Sequence, residues 1–172
     1  MKIKKTEIPL KSLTREYLPA DYTDTFLITT DHEIQSSPDD IMVSFWTDMP
    51  GWVNALFKLR NFLVQFVGLK GDEEGSTSEL EAFIRTGGEY RFMKIPARDR
   101  YETVLLMSDK HLDAHLSVRK ENNYSVSVNT LVHFHNTLGR VYFFVIKPFH
   151  GIIVRQLLKR TIKKHTSKYI AL

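Results

Sequence analysis

The spacing of apolar residues changes period several times along the chain, and each change predicts an element. After a polar lead, Tyr22-Thr23-Asp24-Thr25-Phe26-Leu27-Ile28-Thr29 is dense in β-branched and aromatic residues, which predicts a first strand. Residues 38–47, PDDIMVSFWT, open with proline and two acids and then turn apolar, the signature of a helix start. From Pro50 onward Trp52, Leu56, Leu59, Leu63 and Phe66 recur at steps of four, three, four and three, with Val53, Phe57 and Val64 widening the stripe. That spacing predicts a second helix ended by Gly68, packed into a core rather than framing a cofactor. Residues 70–88, KGDEEGSTSELEAFIRTGG, are rich in Gly, Ser and Glu at both ends and predict a mobile loop with one short element near Leu80 to Arg85.

Beyond this loop the period becomes two. Strand-like runs at Tyr90 to Ile95 and Tyr101 to Met107 flank a Pro-Ala-Arg-Asp-Arg turn. Leu112, Ala114, Leu116 and Val118 then alternate with Asp113, His115, Ser117 and Arg119, and Tyr124, Val126, Val128, Thr130, Val132 and Phe134 alternate with a more polar set. These predict two half-buried antiparallel strands. A two-residue loop at Asn122-Asn123 would set polar rows against apolar ones. A three-residue loop, Glu121-Asn122-Asn123, aligns Val118 with Val126, Leu116 with Val128 and Leu112 with Val132. The same register puts His115 opposite Asn129, His111 opposite His133 and Asp109 opposite His135.

At Asn136, a residue suited to an N-cap, the period becomes helical: Leu138, Val141, Tyr142, Val145, Phe149, Ile152, Ile153 and Leu157 predict a long C-terminal helix to about Lys164. Pro148 lies inside it and has no N–H for the carbonyl of Phe144, so a kink or break is expected there. The first half of this helix is apolar nearly all round and needs a cover on more than one side.

Composition narrows the classes. The chain has 172 residues, 42% hydrophobic and 26% charged, which suits one globular domain over 1–172. Without cysteine it has no disulfide, no thiolate nucleophile and no cysteine-held metal. The uninterrupted apolar run Val141 to Ile146 is stopped by Lys147, far short of a bilayer span, and the N-terminus MKIKKTEIPLKS lacks an apolar signal core. The expectation is a cytoplasmic protein without a transmembrane helix. Glu121 is the last acid; residues 122–172 carry eight cations, while the first 121 carry sixteen cations against twenty acids. Such a basic end suits either an anionic partner or the protein's own acidic body. No aromatic residue is interleaved with the cations from Lys159 to Lys168 for base stacking, so nucleic acid is not expected.

Three stretches, PGWVNALFKLRNFLVQFVGLK (50–70), SDKHLDAHLSV (108–118) and VHFHNTLGRVYFFVIKPFHGIIVR (132–155), together with the element order, resemble the bacterial family of unknown function numbered 2867 and, through it, the START-like (SRPBCC, helix-grip) superfamily. The resemblance runs from LPADYTDTF (18–26) onward. It implies an α+β fold: a curved antiparallel β-sheet, two short helices and a long kinked C-terminal helix, with a hydrophobic space between sheet and helix that takes apolar ligands. It imports no catalytic residue and no cofactor.

Candidate chemistry follows from both readings. The leading expectation is a small apolar ligand held between sheet and C-terminal helix, lined by Trp52, Leu56, Phe57, Tyr142, Val145, Phe149 and His150. The alternative is an enzyme, hydrolase- or cyclase-like, in which Asp109, His111, His133 and His135, with Asp113 and His115, converge on a metal or a proton transfer. Against it, the apolar face of the sheet should turn toward the long helix, leaving these histidines on a convex, solvated face without the dry cavity that electrostatic catalysis needs; no metal site is assigned. A third reading is peripheral interaction with an anionic membrane surface or a protein through the basic helix end and the VYFFVI segment. His150 either contacts the ligand or, as a structural histidine, takes up the carbonyl freed by Pro148.

Overall fold

The computed structural model describes residues 1–53 and 76–167. Seven strands form one open, curved antiparallel sheet: β1 (Lys2–Thr6), β2 (Tyr22–Thr29), β3 (Glu89–Tyr90), β4 (Met93–Arg98), β5 (Glu102–Ser108), β6 (Leu112–Asn122) and β7 (Ser125–Phe134), in the order β1-β2-β7-β6-β5-β4-β3. A 3-10 helix (Leu13–Tyr17) joins β1 to β2, α1 (Pro38–Thr47) and α2 (Thr77–Thr86) lie between β2 and β3, and α3 (Thr137–Ser167) follows β7. The fold is α+β, and the strand at Tyr22 to Thr29 and the helix at 38–47 stand at the expected residues. β1 was absent from the expectation, because lysines occupy most of it.

Local chemistry sets the helix ends. Ser37 Oγ accepts from the Asp40 N–H while the Asp40 carboxylate accepts from the Ser37 N–H, a capping box completed by Pro38 in the first turn. The element expected near Leu80 to Arg85 is the ten-residue α2, stopped by Gly87 and Gly88, both at positive φ. The helix expected beyond Trp52, with Leu56 and Phe57, falls outside the described residues, as does most of the acidic part of the 70–88 loop.

The β6–β7 register corrects the expected one by two residues. Val118 faces Val128, Leu116 faces Thr130 and Leu112 faces Phe134. The Asn122 side chain accepts the Tyr124 N–H, so the turn closes around Asn123-Tyr124, and Glu121 bulges out of the ladder. Because the shift is even, every side chain keeps its face while its cross-strand partner changes. His133 therefore faces Asp113, not His111, and His115 faces Leu131, not Asn129. The His135 N–H donates to the His111 carbonyl, so Asp109 is not its neighbour across the strands.

The inner face of the sheet carries the main core: Phe26, Ile28, Leu105, Leu116, Val118, Val126 and Val128 pack with Ile41, Met42 and Phe45 of α1 and Val154, Leu157, Leu158 and Ile162 of α3. A second, smaller cluster of Leu112, Val132 and Phe143, edged by Tyr22, Phe134 and Tyr142, lies under the first half of α3. That helix runs unbroken through Pro148, so the alternative of a break is not realised. Pro148 sits on its exposed face, where the carbonyl left without an N–H donor can turn to water. Contrary to the expectation from uninterrupted apolar runs, Thr137–Thr166 is long and apolar enough to cross a membrane by length and composition, because the helix continues through the isolated Lys147.

The face expected to be convex and solvated is covered instead. The segment leading through the 3-10 helix lies across it and buries Ser12, Thr14, Thr25, Glu102, Ser117 and Asn129. The Glu102 carboxylate accepts from Ser12 Oγ at 2.7 Å, Ser117 Oγ at 2.6 Å, the Leu13 N–H at 2.8 Å and Arg119 Nη1 at 3.2 Å. Its negative charge also caps the start of the 3-10 helix. A polar row was mistaken for an exposed one because hydroxyls and an ion pair satisfy each other beneath the strap.

Candidate functional site between the sheet and the long helix

One charged group interrupts the inner face. Along β2 the inward residues are Tyr22, Asp24, Phe26 and Ile28; along β7 they are Val126, Val128, Thr130 and Val132; Asp24 and Thr130 are partners across the two strands. Asp24 is thus flanked by Tyr22 of the smaller apolar cluster and Phe26 of the main core. From above, His150 of α3 reaches the same point: its Nε2 lies 3.3 Å from Asp24 Oδ2 and 3.4 Å from Oδ1, with side-chain exposures of 15% for His150 and 1% for Asp24. The three polar residues form a seam between two apolar clusters.

The seam is electrostatically coherent. Burial pushes the Asp24 carboxyl up, but the adjacent His150 and the Tyr22 hydroxyl, which donates to Oδ2 at 2.7 Å, outweigh it and hold the group below its ordinary range. Burial and the neighbouring carboxylate push the Tyr22 phenol up, so it stays protonated as the donor. Thr130 is close enough to the carboxylate to favour its charge, but its buried hydroxyl stops short of hydrogen-bond geometry with any partner. A buried polar atom left without a partner costs free energy and marks a place where a ligand's polar group or a water would be favoured. Around the seam stand rings: Phe143 is 4.8 Å from Tyr22, 5.6 Å from Phe134 and 6.3 Å from His150, centroid to centroid. Chemically, a carboxylate fixing one imidazole nitrogen can orient a proton acceptor or anchor a hydroxyl or amine.

The sequence-derived candidates are scattered by comparison. His150 belongs to the seam, bonded to Asp24 instead of to a carbonyl freed at Pro148. Tyr142 packs partly buried beside Phe143, whereas Val145 and Phe149 lie on the exposed side of the helix and Trp52 is also exposed. Leu56 and Phe57 lie outside the described residues. Among the metal candidates, Asp109 Oδ1 accepts from the N–H groups of His111 and Leu112, a turn-forming role. His111 meets Asn136, His133 meets the carbonyls of Tyr17 and Pro19, and His135 Nε2 lies 3.2 Å from Asp113. His115, buried, stacks on Tyr17 at 4.0 Å; burial and then the neighbouring His133 pull its imidazole down to about 4. Among the described residues no group of three or more His, Cys, Asp or Glu side chains is placed to hold a metal.

Asn136 does cap α3, its Oδ1 accepting the Gly139 N–H at 3.0 Å. Gly139 itself is required there, since a Cβ would overlap the His111 carbonyl oxygen. This contact seats the helix start over the end of β6, and the seam lies about three turns farther along. Sequence reasoning missed Tyr22, Asp24 and Thr130. The available signal was phase: an acid and a threonine at inward positions of otherwise apolar rows.

No curated protein and no solved structure matches the chain. A family profile described as Protein of unknown function (DUF2867) matches residues 17–157, a span that holds Asp24, Thr130, His150 and most of α3. By that match over most of its length, the chain belongs to this family of proteins of unknown function.

Proposed function

We propose that the protein binds a small, mainly apolar molecule between the inner face of the sheet and the first half of α3, with one polar group of the ligand meeting Asp24, Thr130 and His150. The observation that carries this reading is the buried Thr130 hydroxyl left without a hydrogen-bond partner beside a buried carboxylate, in an otherwise aromatic and aliphatic setting. Binding sites for small molecules combine apolar walls with a few fixed polar groups in this way. The START-like resemblance supports the same location, since ligands of such folds lie between sheet and helix. Native mass spectrometry of freshly purified protein tests it. The expected result is a non-covalent added mass that is lost in Asp24→Asn and Thr130→Val; a homogeneous ligand-free mass, with an experimental structure in which side chains fill the seam completely, overturns it.

A second reading rests on the same Asp24–His150 pair. A carboxylate that orients an imidazole is an arrangement used for general base chemistry, so a hydrolase- or cyclase-like reaction on the bound molecule is the enzymatic alternative. Turnover in a broad substrate screen that disappears in a folded His150→Gln variant favours it; ligand retention without turnover leaves the binding reading alone.

A further inference from the structure

The outer surface of α3 divides sharply in two. In its second half the residues facing away from the sheet are Arg155, Gln156, Lys159 and Arg160, an ordinary solvated face. In its first half the corresponding positions are Val141, Phe144, Val145, Phe149 and Ile152; Phe144 is 77% exposed and the others about half exposed. Their spacing of three and four places them in one stripe about three helical turns long. Arg140, Lys147 and Arg155, all exposed, occur along the same stretch; Arg140 lies 3.6 Å from the Asp21 carboxylate, and α3 itself contains no acidic residue. An exposed stripe of this size on a folded domain marks an interaction surface.

We propose that this stripe docks on an anionic lipid surface, with the helix lying in the interface plane, the apolar stripe among the acyl chains and Arg140, Lys147 and Arg155 at the headgroups. Charge selects this occupant. Pairing of two copies through the stripe would bring α3 against α3, placing cations near cations with no acid on either helix to offset them. A sheet of anionic headgroups complements the same cations, each strengthening binding roughly fivefold near such a surface. The apolar half then supplies the burial that electrostatics alone does not, the combination by which interfacial helices bind.

Flotation with phosphatidylcholine vesicles, with and without phosphatidylglycerol, tests this in the full chain. The expected results are binding to the anionic vesicles only, loss of that binding in high salt, at least about tenfold weaker binding in the Phe144→Gln, Val145→Gln double variant, and roughly fivefold weaker binding in Lys147→Gln. No binding to anionic vesicles, equal binding to both kinds, or unchanged binding in the double variant overturns the proposal. Two further results also overturn it. One is concentration-dependent self-association without lipid that the double variant abolishes, which assigns the stripe to a second copy. The other is a melting temperature lowered by the double substitution with no vesicle binding in wild type, which assigns the stripe to a cover from within the chain.

Discussion

Glu102 and Asp24 are the two acids most deeply buried among the described residues, and they lie on opposite faces of the same sheet. Glu102 is saturated: two hydroxyls, a backbone N–H and an arginine fill both of its oxygens, and these groups come from the strap and β6. Asp24 has a tyrosine and a histidine at longer reach, and a neighbouring threonine hydroxyl bonded to nothing. Burying a charge demands compensation on either face. Full compensation at Glu102 fastens the N-terminal strap to the sheet, whereas the incomplete set at Asp24 leaves bonding capacity for another molecule. The difference between a structural acid and a candidate functional one lies in what remains unsatisfied after folding, not in burial.

Four measurements break or sharpen that contrast. The largest effect is expected at Glu102→Ala, which leaves Arg119 with Glu121 alone and removes the strap's anchor; a loss of about 3–5 kcal/mol in urea denaturation is expected, and a loss below about 1 kcal/mol breaks the assignment of Glu102 as the fastening. Next is His115→Phe on the same face. The folded imidazole titrates near 4 against an ordinary 6.5, so the unfolded chain binds the extra proton and wild type loses stability as pH falls through that window. The variant should gain on wild type by on the order of 2 to 3 kcal/mol between pH 6.5 and 4; parallel pH curves would show that His115 is not buried neutral.

Gly139→Ala acts on the other face, forcing the start of α3 off the His111 carbonyl. A cost of about 1–3 kcal/mol is expected, with amide exchange accelerated around Phe143 and His150 but not around Glu102; equal acceleration on both faces would mean that the two sites are not independent. The smallest effect is expected at Asp24→Asn, about 1 kcal/mol at neutral pH. Because the folded carboxyl titrates below its ordinary value of 3.8, its contribution is present above that pH and fades as pH falls further, so the variant and wild type should converge in acid. A loss at Asp24 as large as the one at Glu102 would make both acids structural.

Much of the architecture was legible because it rests on periodicity. The alternation from Leu112 to Phe134 gave the faces of both strands correctly, and the change at Asn136 marked the cap and start of the long helix. Cross-strand partners were not legible, since the bulge at Glu121 depends on the Asn122 side chain choosing the Tyr124 N–H, a local competition that the apolar rows do not encode. The covering of the histidine face was hidden for a similar reason: the strap from Ser12 to Tyr17 is held by polar contacts, and hydrophobic patterning is silent about those. The candidate site was half legible. His150 stood out as a histidine on an apolar helix, but its carboxylate lies 126 positions earlier in the chain, and only the pairing of β2 with β7 brings them together.

The sheet's two ends carry one more consequence. β1 closes one edge with Lys2, Lys4 and Lys5, three cations in five residues, while the opposite edge consists of the two-residue β3 and the irregular β4, interrupted between Lys94 and Ala97 and containing Pro96. Like charge on one side and missing or misaligned backbone donors on the other deny an incoming strand a template. The molecule is thereby guarded against edge-to-edge polymerisation even though it displays bare aromatic surface on its helix, and crowding should leave it free of fibrils.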